Sequence, residues 1–183
     1  MTLAAFAEKY VRPDRIRRML AGDLARGTIV KDNLALSHWQ TYTRPDVWPI
    51  DVPWEGPTLA AISESYVQSI MDRMQQRLQP ATIHATWNHL RAIFGAANRL
   101  GVLNRIPTVK ITEGEEESRV LTDGEINAVY RGLNQHAGLQ VAFVLAINAG
   151  LRSGDLFGLR WGDIHLGEAP SILFVAQKTG KRQ

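Results

Sequence analysis

Apolar residues recur at helical spacing along most of the first part of the chain. Side chains three or four positions apart fall on one face of a helix, so this spacing predicts helical segments. The predicted segments are residues 2–20, 28–42, 59–78 and 82–100. We expect Pro13 to interrupt the first of them, because proline lacks the backbone N–H that a helix interior uses.

Residues 44–57 break the helical pattern with prolines at four positions and tryptophans at two. Proline at that density cannot continue a helix, so this stretch is predicted to be an ordered surface loop. We expect Trp48 and Trp54 to pack on a neighbouring helix rather than on a ligand.

The segment 82–100 has the most regular apolar stripe. Its members are Ile83, Trp87, Leu90, Phe94, Ala97 and Leu100. Thr82 is placed to cap the N-terminus of this helix and Gly101 to end it. Polar side chains lie off the stripe, at His84, Asn88, Arg91 and Arg99, and the preceding segment has Arg73 and Arg77 beside its own stripe. These positions are either an ordinary solvated surface or a surface for a partner.

An acidic run, EGEEE at residues 113–117, is the clearest break in composition. Such a run repels phosphate and cannot contribute to a core, which indicates an exposed linker. We therefore predict a helical domain at residues 1–110, a linker at 111–118 and a second domain at 119–183.

The second predicted domain opens with a helix, because Thr122 and Glu125 have the spacing of a capping box. Residues 139–149 are apolar nearly all round, which predicts a helix that is buried on every side. Gly150 is expected to end that helix, and Ser153 to cap another.

The helix that begins at Ser153 is predicted to run to about Trp161. Residues 171–177 then alternate and are rich in branched and aromatic side chains, which predicts a strand followed by a turn at residues 178–181, KTGK.

Charge is distributed unevenly over the 183 residues, although the net charge is only +3. Residues 1–112 hold 14 basic and 9 acidic residues, whereas residues 113–183 hold 7 and 9. Eleven of the 14 cations are arginine, which binds phosphate bidentately and stacks on bases. A polyanionic partner for the first part of the chain is consistent with this bias, and so is a mildly basic solvated surface.

Composition excludes several classes of site. The chain has no cysteine, so it has no disulfide framework, thiolate metal site or cysteine nucleophile, and we expect a cytoplasmic location. The longest apolar run, residues 141–147, is far shorter than the roughly 18 residues of a membrane span. We therefore expect no membrane association.

Four stretches, in this order, resemble the tyrosine recombinase (phage integrase) family. Residues 80–107 are similar to the last helix of its core-binding domain and the turn that follows. Residues 121–126, LTDGEI, resemble the opening of its catalytic domain, and residues 148–164, NAGLRSGDLFGLRWGDI, resemble the segment with its first catalytic arginine. The turn at residues 178–181 falls where the family has a hairpin with a catalytic lysine.

The resemblance implies a mainly α fold: a helical (SAM-like) core-binding domain, then the start of an α+β catalytic domain with a short β-hairpin. It also implies a DNA-binding protein of site-specific recombination or integration. Double-stranded DNA is the expected partner, with other recombinase protomers as further partners. His84, Asn88, Arg91, Arg99, Arg73, Arg77 and Lys181 are the candidate DNA-binding residues.

In that family a tyrosine hydroxyl attacks a phosphodiester without a metal or a small-molecule cofactor. Arg152 matches the first arginine that stabilises the transition state in that family, and its planar fork can hold two nonbridging oxygens at once. Asp155 would support Arg152 from the same helical face. Lys178 matches the lysine that protonates the leaving oxygen. Each also has a purely structural interpretation: Arg152 as a surface cation, Asp155 as a first-turn acid and Lys178 as a solvated turn lysine.

The later motifs of the family are missing from these residues. No histidine is followed by arginine three positions later, and all four tyrosines precede Arg152. Without a nucleophile the chain is predicted to be unable to cleave DNA alone. We therefore expect a truncated gene product whose strand at residues 172–175 is left as an open edge.

Three other functions compete with this interpretation. The chain could be a non-catalytic protein that binds DNA or blocks a full-length recombinase. A helix-turn-helix regulator would use residues 153–161 for recognition, but the apolar helix before them lacks polar positions for DNA. A nucleotide-binding loop at Gly180 and Lys181 is disfavoured, because Val175 stands where that motif needs glycine.

Overall fold

The computed structural model describes residues 1–49, 51–112, 119–176, 180 and 182. The chain divides into two compact units, Met1–Glu116 and Glu117–Gln183. We refer to them as unit 1 and unit 2 and describe each separately.

Unit 1 is helical throughout its regular structure. Its elements are α1 (Leu3–Phe6), a π-helical segment (Ala7–Val11), α2 (Arg12–Leu20), α3 (Arg26–Thr43), a 3-10 turn (Leu59–Ala61), α4 (Glu64–Gln75) and α5 (Pro80–Arg99). The four predicted helical segments are thus present. The 44–57 loop is also confirmed over its described residues: the Trp48 and Trp54 rings lie 4.8 Å apart, and Trp54 Nε1 donates to Thr43 Oγ1 at the end of α3.

Pro13 does not interrupt the first helical segment, contrary to the prediction. Residues Leu3 to Leu20 stay helical, and the Arg12 N–H donates to the Ala7 carbonyl in a π-helical bond. Proline at the second position of α2 has no N–H to give, and the wider π turn before it changes the local hydrogen-bond register. Proline is therefore accommodated without breaking the helix.

The predicted starts of α4 and α5 also need correction. The segment predicted from residue 59 becomes regular α-helix only after Ser63, whose hydroxyl accepts from the Tyr66 N–H. Thr82 is not the cap of α5, because that helix begins at Pro80. Proline favours the first helical position, where an N–H would have no partner. Gly101 follows the helix with φ of 68°, as predicted.

The core of unit 1 forms where α3, α4 and α5 pack together under α1. Trp39 of α3 lies edge-on to Phe94 of α5, with ring centroids 5.7 Å apart, and both side chains are fully buried. The predicted stripe of α5 faces this core except at Leu100, which is 57% exposed. Burial of that stripe fixes the opposite face of α5 toward solvent.

Unit 2 contains α6 (Asp123–Gly132), α7 (Ala137–Ala149), α8 (Ser153–Gly158), a 3-10 turn (Trp161–Asp163), β1 (Ile164–His165) and β2 (Ser171–Ile172). The capping box at α6 is confirmed in both directions, with Thr122 Oγ1 accepting from the Glu125 N–H and Glu125 Oε2 accepting from the Thr122 N–H. Gly150 ends α7 in the left-handed conformation, as predicted.

Helix α7 is not buried on every side, although its composition predicted that it would be. Val141 is 59% exposed, and Leu139, Val144 and Ile147 are also exposed. Among the described elements of unit 2, α7 packs against α8 and α6, and these cover only part of its circumference. An apolar surface all round a helix permits burial on every side without requiring it.

The strand region of unit 2 differs from the prediction in its pairing. Ile172 of β2 pairs antiparallel with Ile164 of β1, so the strand is not unpaired there as the prediction had it. Val175 additionally forms an isolated bridge with Arg182. Strand β1 was not predicted, because a strand of two residues is too short to show an alternation of apolar and polar side chains. Helix α8 also ends at Gly158 rather than Trp161, and Ser153 is its first residue, not its cap.

Candidate nucleic-acid interface

A groove of about 790 Å³ lies between α2 and the solvent-facing side of α5. Its polar lining is Tyr10, Asp14, Arg15, Arg18, Asn88, Arg91 and Arg99. We call this the arginine groove. It collects three of the predicted DNA-binding residues of α5 and adds two arginines of α2 that were not predicted.

Helical spacing explains why these side chains meet. Asn88, Arg91 and Arg99 lie on one side of α5, away from the buried stripe, because their spacings are close to whole numbers of turns. Arg15 and Arg18 are three positions apart on α2, so they are neighbours on its surface. The two helices thus present guanidinium groups to the same groove.

Small side chains form the floor of the arginine groove. Ala92, Gly95 and Ala96 of α5 line it between the arginines. A Cβ at position 95 would meet Arg99 Nη1 at 3.6 Å and Ile106 Cδ1 at 3.7 Å, which is ordinary contact. The floor therefore leaves space that a bulkier residue would fill, and a ligand backbone could come close to the helix.

Arg15 is held by an acid at the back of the groove. Its Nε donates to Asp32 Oδ2 at 3.1 Å, and His89 Nδ1 lies 2.6 Å from Asp32 Oδ1. The Asp32 carboxylate can only accept, so the His89 nitrogen is the donor in this contact. One residue each from α2, α3 and α5 is joined in this way.

The other arginines of the groove have no ion pair with any carboxylate in the described part of the chain. This is true of Arg18, Arg91 and Arg99. Asp14, the acid that lines the groove, accepts instead from Arg17 Nη2 at 2.5 Å. That hydrogen bond lowers the pKa of Asp14 below its ordinary value. The groove therefore keeps a positive balance that is available to an anion.

Arg73 and Arg77 lie in a second basic cluster, with Arg44, around a smaller cavity of about 250 Å³. Two of these three arginines have partners. Arg44 Nη2 donates to the carbonyls of Trp48 and Pro49, and Arg73 Nη2 lies 3.9 Å from Asp46. The structure thus divides the predicted DNA-binding set into two places, and His84 lines neither cavity.

In unit 2, Arg152 is an exposed residue that immediately precedes α8. Its carbonyl accepts from the Leu156 N–H at 2.8 Å, so its backbone is fixed by the start of the helix. Asp155, in the first turn of α8, is buried. Lys178 and Lys181 lie outside the described residues, so the catalytic role expected of Lys178 and the DNA contact expected of Lys181 stay predictions.

Sequence reasoning missed Arg15, Arg18, Asp32 and His89. The basic run of residues 12–18, RPDRIRR, was a signal for the first two. The expected break at Pro13 argued against one continuous helix that would carry both arginines. No signal linked Asp32 to His89, because 57 positions separate them.

Comparison with known proteins gives one sequence relative and one structural match to report, while no family model matches the chain. The relative is "Tyrosine recombinase XerC-like" of Caldanaerobacter subterraneus subsp. tengcongensis, 31% identical over 119 residues. That alignment covers 60% of this chain and 30% of the relative. Over that alignment the chain is similar to a tyrosine recombinase.

One solved structure shares the fold of this chain. The crystal structure of lambda integrase (residues 75–356) bound to DNA matches with a TM-score of 0.69 at 20% identity. The match covers the whole of this chain and 59% of that one. The predicted mainly helical fold with a short antiparallel pair of strands is thereby confirmed. The chain spans only part of each tyrosine recombinase it matches.

Within the described residues, no group of three or more histidine, aspartate or glutamate side chains is arranged to hold a metal ion. No helix in the described part of the chain is long and apolar enough to cross a bilayer.

Proposed function

We propose that this tyrosine recombinase relative is a DNA-binding protein of site-specific recombination or integration, and that the arginine groove of unit 1 is its principal contact with duplex DNA. The observation that carries the proposal is the convergence of Arg15, Arg18, Arg91 and Arg99 on one groove. Three of them form no ion pair with a carboxylate among the described residues. The solved lambda integrase that shares the fold was bound to DNA, which supports the same partner here.

The groove suits a phosphate backbone for a physical reason. Each guanidinium is a planar fork that can give two parallel N–H donors to a phosphate, and such charge-assisted bonds are the stronger ones. The small floor at Ala92, Gly95 and Ala96 lets the backbone approach closely. Contacts of this kind fix the position of a protein on DNA without reading its sequence. Asn88 is the groove residue suited to a base edge, since its amide can pair with adenine.

Arg73 and Arg77 are proposed as a second, weaker contact, and His84 and Lys181 remain proposed DNA-binding residues. For unit 2 we propose that Arg152, supported by Asp155, and Lys178 address one backbone phosphate, as the family resemblance implies. These 183 residues contain no tyrosine after Tyr130. We therefore propose that this chain by itself holds DNA but does not cleave it.

The salt dependence of DNA binding tests the principal proposal. Each neutralised phosphate releases counterions, so the logarithm of affinity should fall linearly with the logarithm of salt concentration, by about 0.9 per contact. With three or four arginines in contact we expect a slope of about −3 to −4 for a duplex of 20 base pairs, measured by fluorescence anisotropy. A flat response, or no binding at low salt, would contradict a DNA-binding role for the groove.

The exposed apolar side chains of unit 2 favour a second candidate, a protein that docks onto a recombinase. Trp161 is 84% exposed, and Phe157 and Leu166 are exposed as well. Side chains of this size at a surface are typical of contacts with another polypeptide. Mixing the chain with a full-length recombinase and with a separately made C-terminal piece distinguishes the two cases. Inhibition of the former favours docking, and restored cleavage with the latter favours a recombinase part.

A further inference from the structure

A buried acid stands directly behind the arginine groove. The side chain of Asp32 on α3 is only 7% exposed, and both of its oxygens are used, one by Arg15 Nε and one by His89 Nδ1. An acid this deeply buried is rare unless it is paired. Its two partners come from the two helices that form the groove, α2 and α5.

The atom of Arg15 that binds Asp32 determines which donors of the guanidinium stay available to a ligand. Asp32 accepts from Nε, which is the donor nearest the aliphatic stem. No hydrogen bond joins Nη1 or Nη2 of Arg15 to any other described residue. The guanidinium is planar, so a bond at Nε sets the plane in which the remaining donors lie. Arg15 is 17% exposed and lines the groove.

A fixed arginine binds an anion at a lower entropic cost than a mobile one. A free arginine side chain has many rotamers, and ordering them on binding opposes association. Arg15 is ordered before any ligand arrives, because Asp32 holds it and His89 holds Asp32. Asp32 therefore has two opposing effects. Its negative charge disfavours an anion nearby, but it holds Arg15 in a defined geometry that favours one.

We propose that Asp32 is a positioning residue for DNA binding: it orients Arg15 toward the phosphate backbone in the groove, and His89 secures Asp32 in that role. This inference rests on the proposed function of the groove. Asp32 would then contribute to DNA binding through Arg15, without a contact of its own with the DNA.

The sign of one substitution separates positioning from simple electrostatics. Asp32→Asn removes a negative charge, and charge alone would then raise the affinity for DNA. If Asp32 positions Arg15, the same substitution lowers affinity, by about tenfold for one charge-assisted contact. Asp14→Asn is the matched control, because it removes the same charge from the same groove without touching Arg15. We expect Asp14→Asn to raise the affinity.

The measurement is the dissociation constant for a 20-base-pair duplex at several salt concentrations, with helical circular dichroism to show that each variant is folded. We expect Arg15→Gln to lower affinity about tenfold and to reduce the salt slope by about one. Adding Asp32→Asn to Arg15→Gln should then change affinity less than twofold. A higher affinity for Asp32→Asn alone, or the same loss with and without Arg15, would overturn the proposal.

Arg15→Lys provides a test that does not require the buried acid to be changed. It keeps the charge but replaces the planar fork by a single ammonium, whose three donors are not held in the plane that Asp32 sets for the guanidinium. We expect a loss close to that of Arg15→Gln, and wild-type affinity for Arg15→Lys would refute the role of Asp32. If Arg91→Gln with Arg99→Gln has no effect on binding, the proposed function fails. If those changes weaken binding while Asp32→Asn strengthens it, only this inference fails.

Discussion

At the scale of single residues, local sequence rules hold best where the partners are close along the chain. The Thr122 and Glu125 capping box, the left-handed Gly101 and the left-handed Gly150 were all predictable, because each depends on a few adjacent residues. Pro13 shows the limit, since a π-helical turn absorbed it. The Asp32 contacts were not predictable, because they depend on how three helices pack.

Removal of the α6 cap gives a prediction at this scale. Thr122→Ala deletes the hydroxyl that accepts from the Glu125 N–H, and we expect the helix to lose about 1 kcal/mol of stability. Hydrogen exchange of the amides at residues 123–132 measures it, and protection should fall about fivefold. Thr108→Ala is the control, since no cap depends on its hydroxyl. Unchanged protection in Thr122→Ala would show that the cap contributes nothing.

The same cap should depend on pH. Hydrogen bonds from the Thr122 backbone N–H, then from its hydroxyl, lower the pKa of Glu125 below the ordinary value of 4.5. A group whose pKa is lowered by folding stabilises the folded state above its unfolded pKa. That contribution is therefore complete above about pH 4.5 and is lost as the pH falls through the lower folded value. Protection of α6 that did not decline with acid, after correction for intrinsic exchange, would contradict this assignment.

At the scale of elements, periodicity identified the helices of unit 1 but not which apolar positions are covered. The stripe of α5 was correct except at Leu100. Helix α7, which is apolar nearly all round, turned out to be partly exposed. In both helices the apolar pattern indicates which side chains can be buried. Which of them are buried depends on the neighbouring elements. Pairing of β1 with β2 was likewise set by tertiary structure and not by local alternation.

Two residues of the α5 stripe test this distinction. Phe94 is fully buried against Trp39, so Phe94→Ala should cost about 3–5 kcal/mol of the free energy of unfolding. Leu100 belongs to the same sequence pattern but is exposed, and Leu100→Ala should cost about 0.5 kcal/mol or less. Urea unfolding followed by tryptophan fluorescence measures both. Similar costs for the two would mean that the stripe is buried along its whole length.

At the scale of the whole molecule, the uneven charge of the sequence has a structural counterpart. Unit 1 carries the excess of arginine, and its structure gathers four of those arginines in one groove. The resemblance of residues 80–107, 121–126 and 148–164 pointed to the same family as the curated relative, a tyrosine recombinase. Two of the groove arginines, Arg15 and Arg18, were outside that resemblance and were found only in the structure.

Catalytic competence is also a property of the whole molecule. Cleavage by the family that this chain resembles requires a tyrosine nucleophile, and these 183 residues contain no tyrosine beyond residue 130. We expect the purified 183-residue protein to leave supercoiled plasmid unrelaxed and to form no covalent adduct on a nicked suicide substrate. Covalent trapping on that substrate would refute the expectation.

The central claim is that DNA lies in the arginine groove, and two double variants with the same change of charge test it most directly. Arg91→Gln with Arg99→Gln alters the groove, whereas Arg73→Gln with Arg77→Gln alters the second basic cluster. For the first pair we predict a loss of duplex affinity of about a hundredfold and a salt slope that is smaller by about two. The second pair should lose less than about tenfold in affinity. Equal losses from the two pairs, or no loss from the first, would contradict the account.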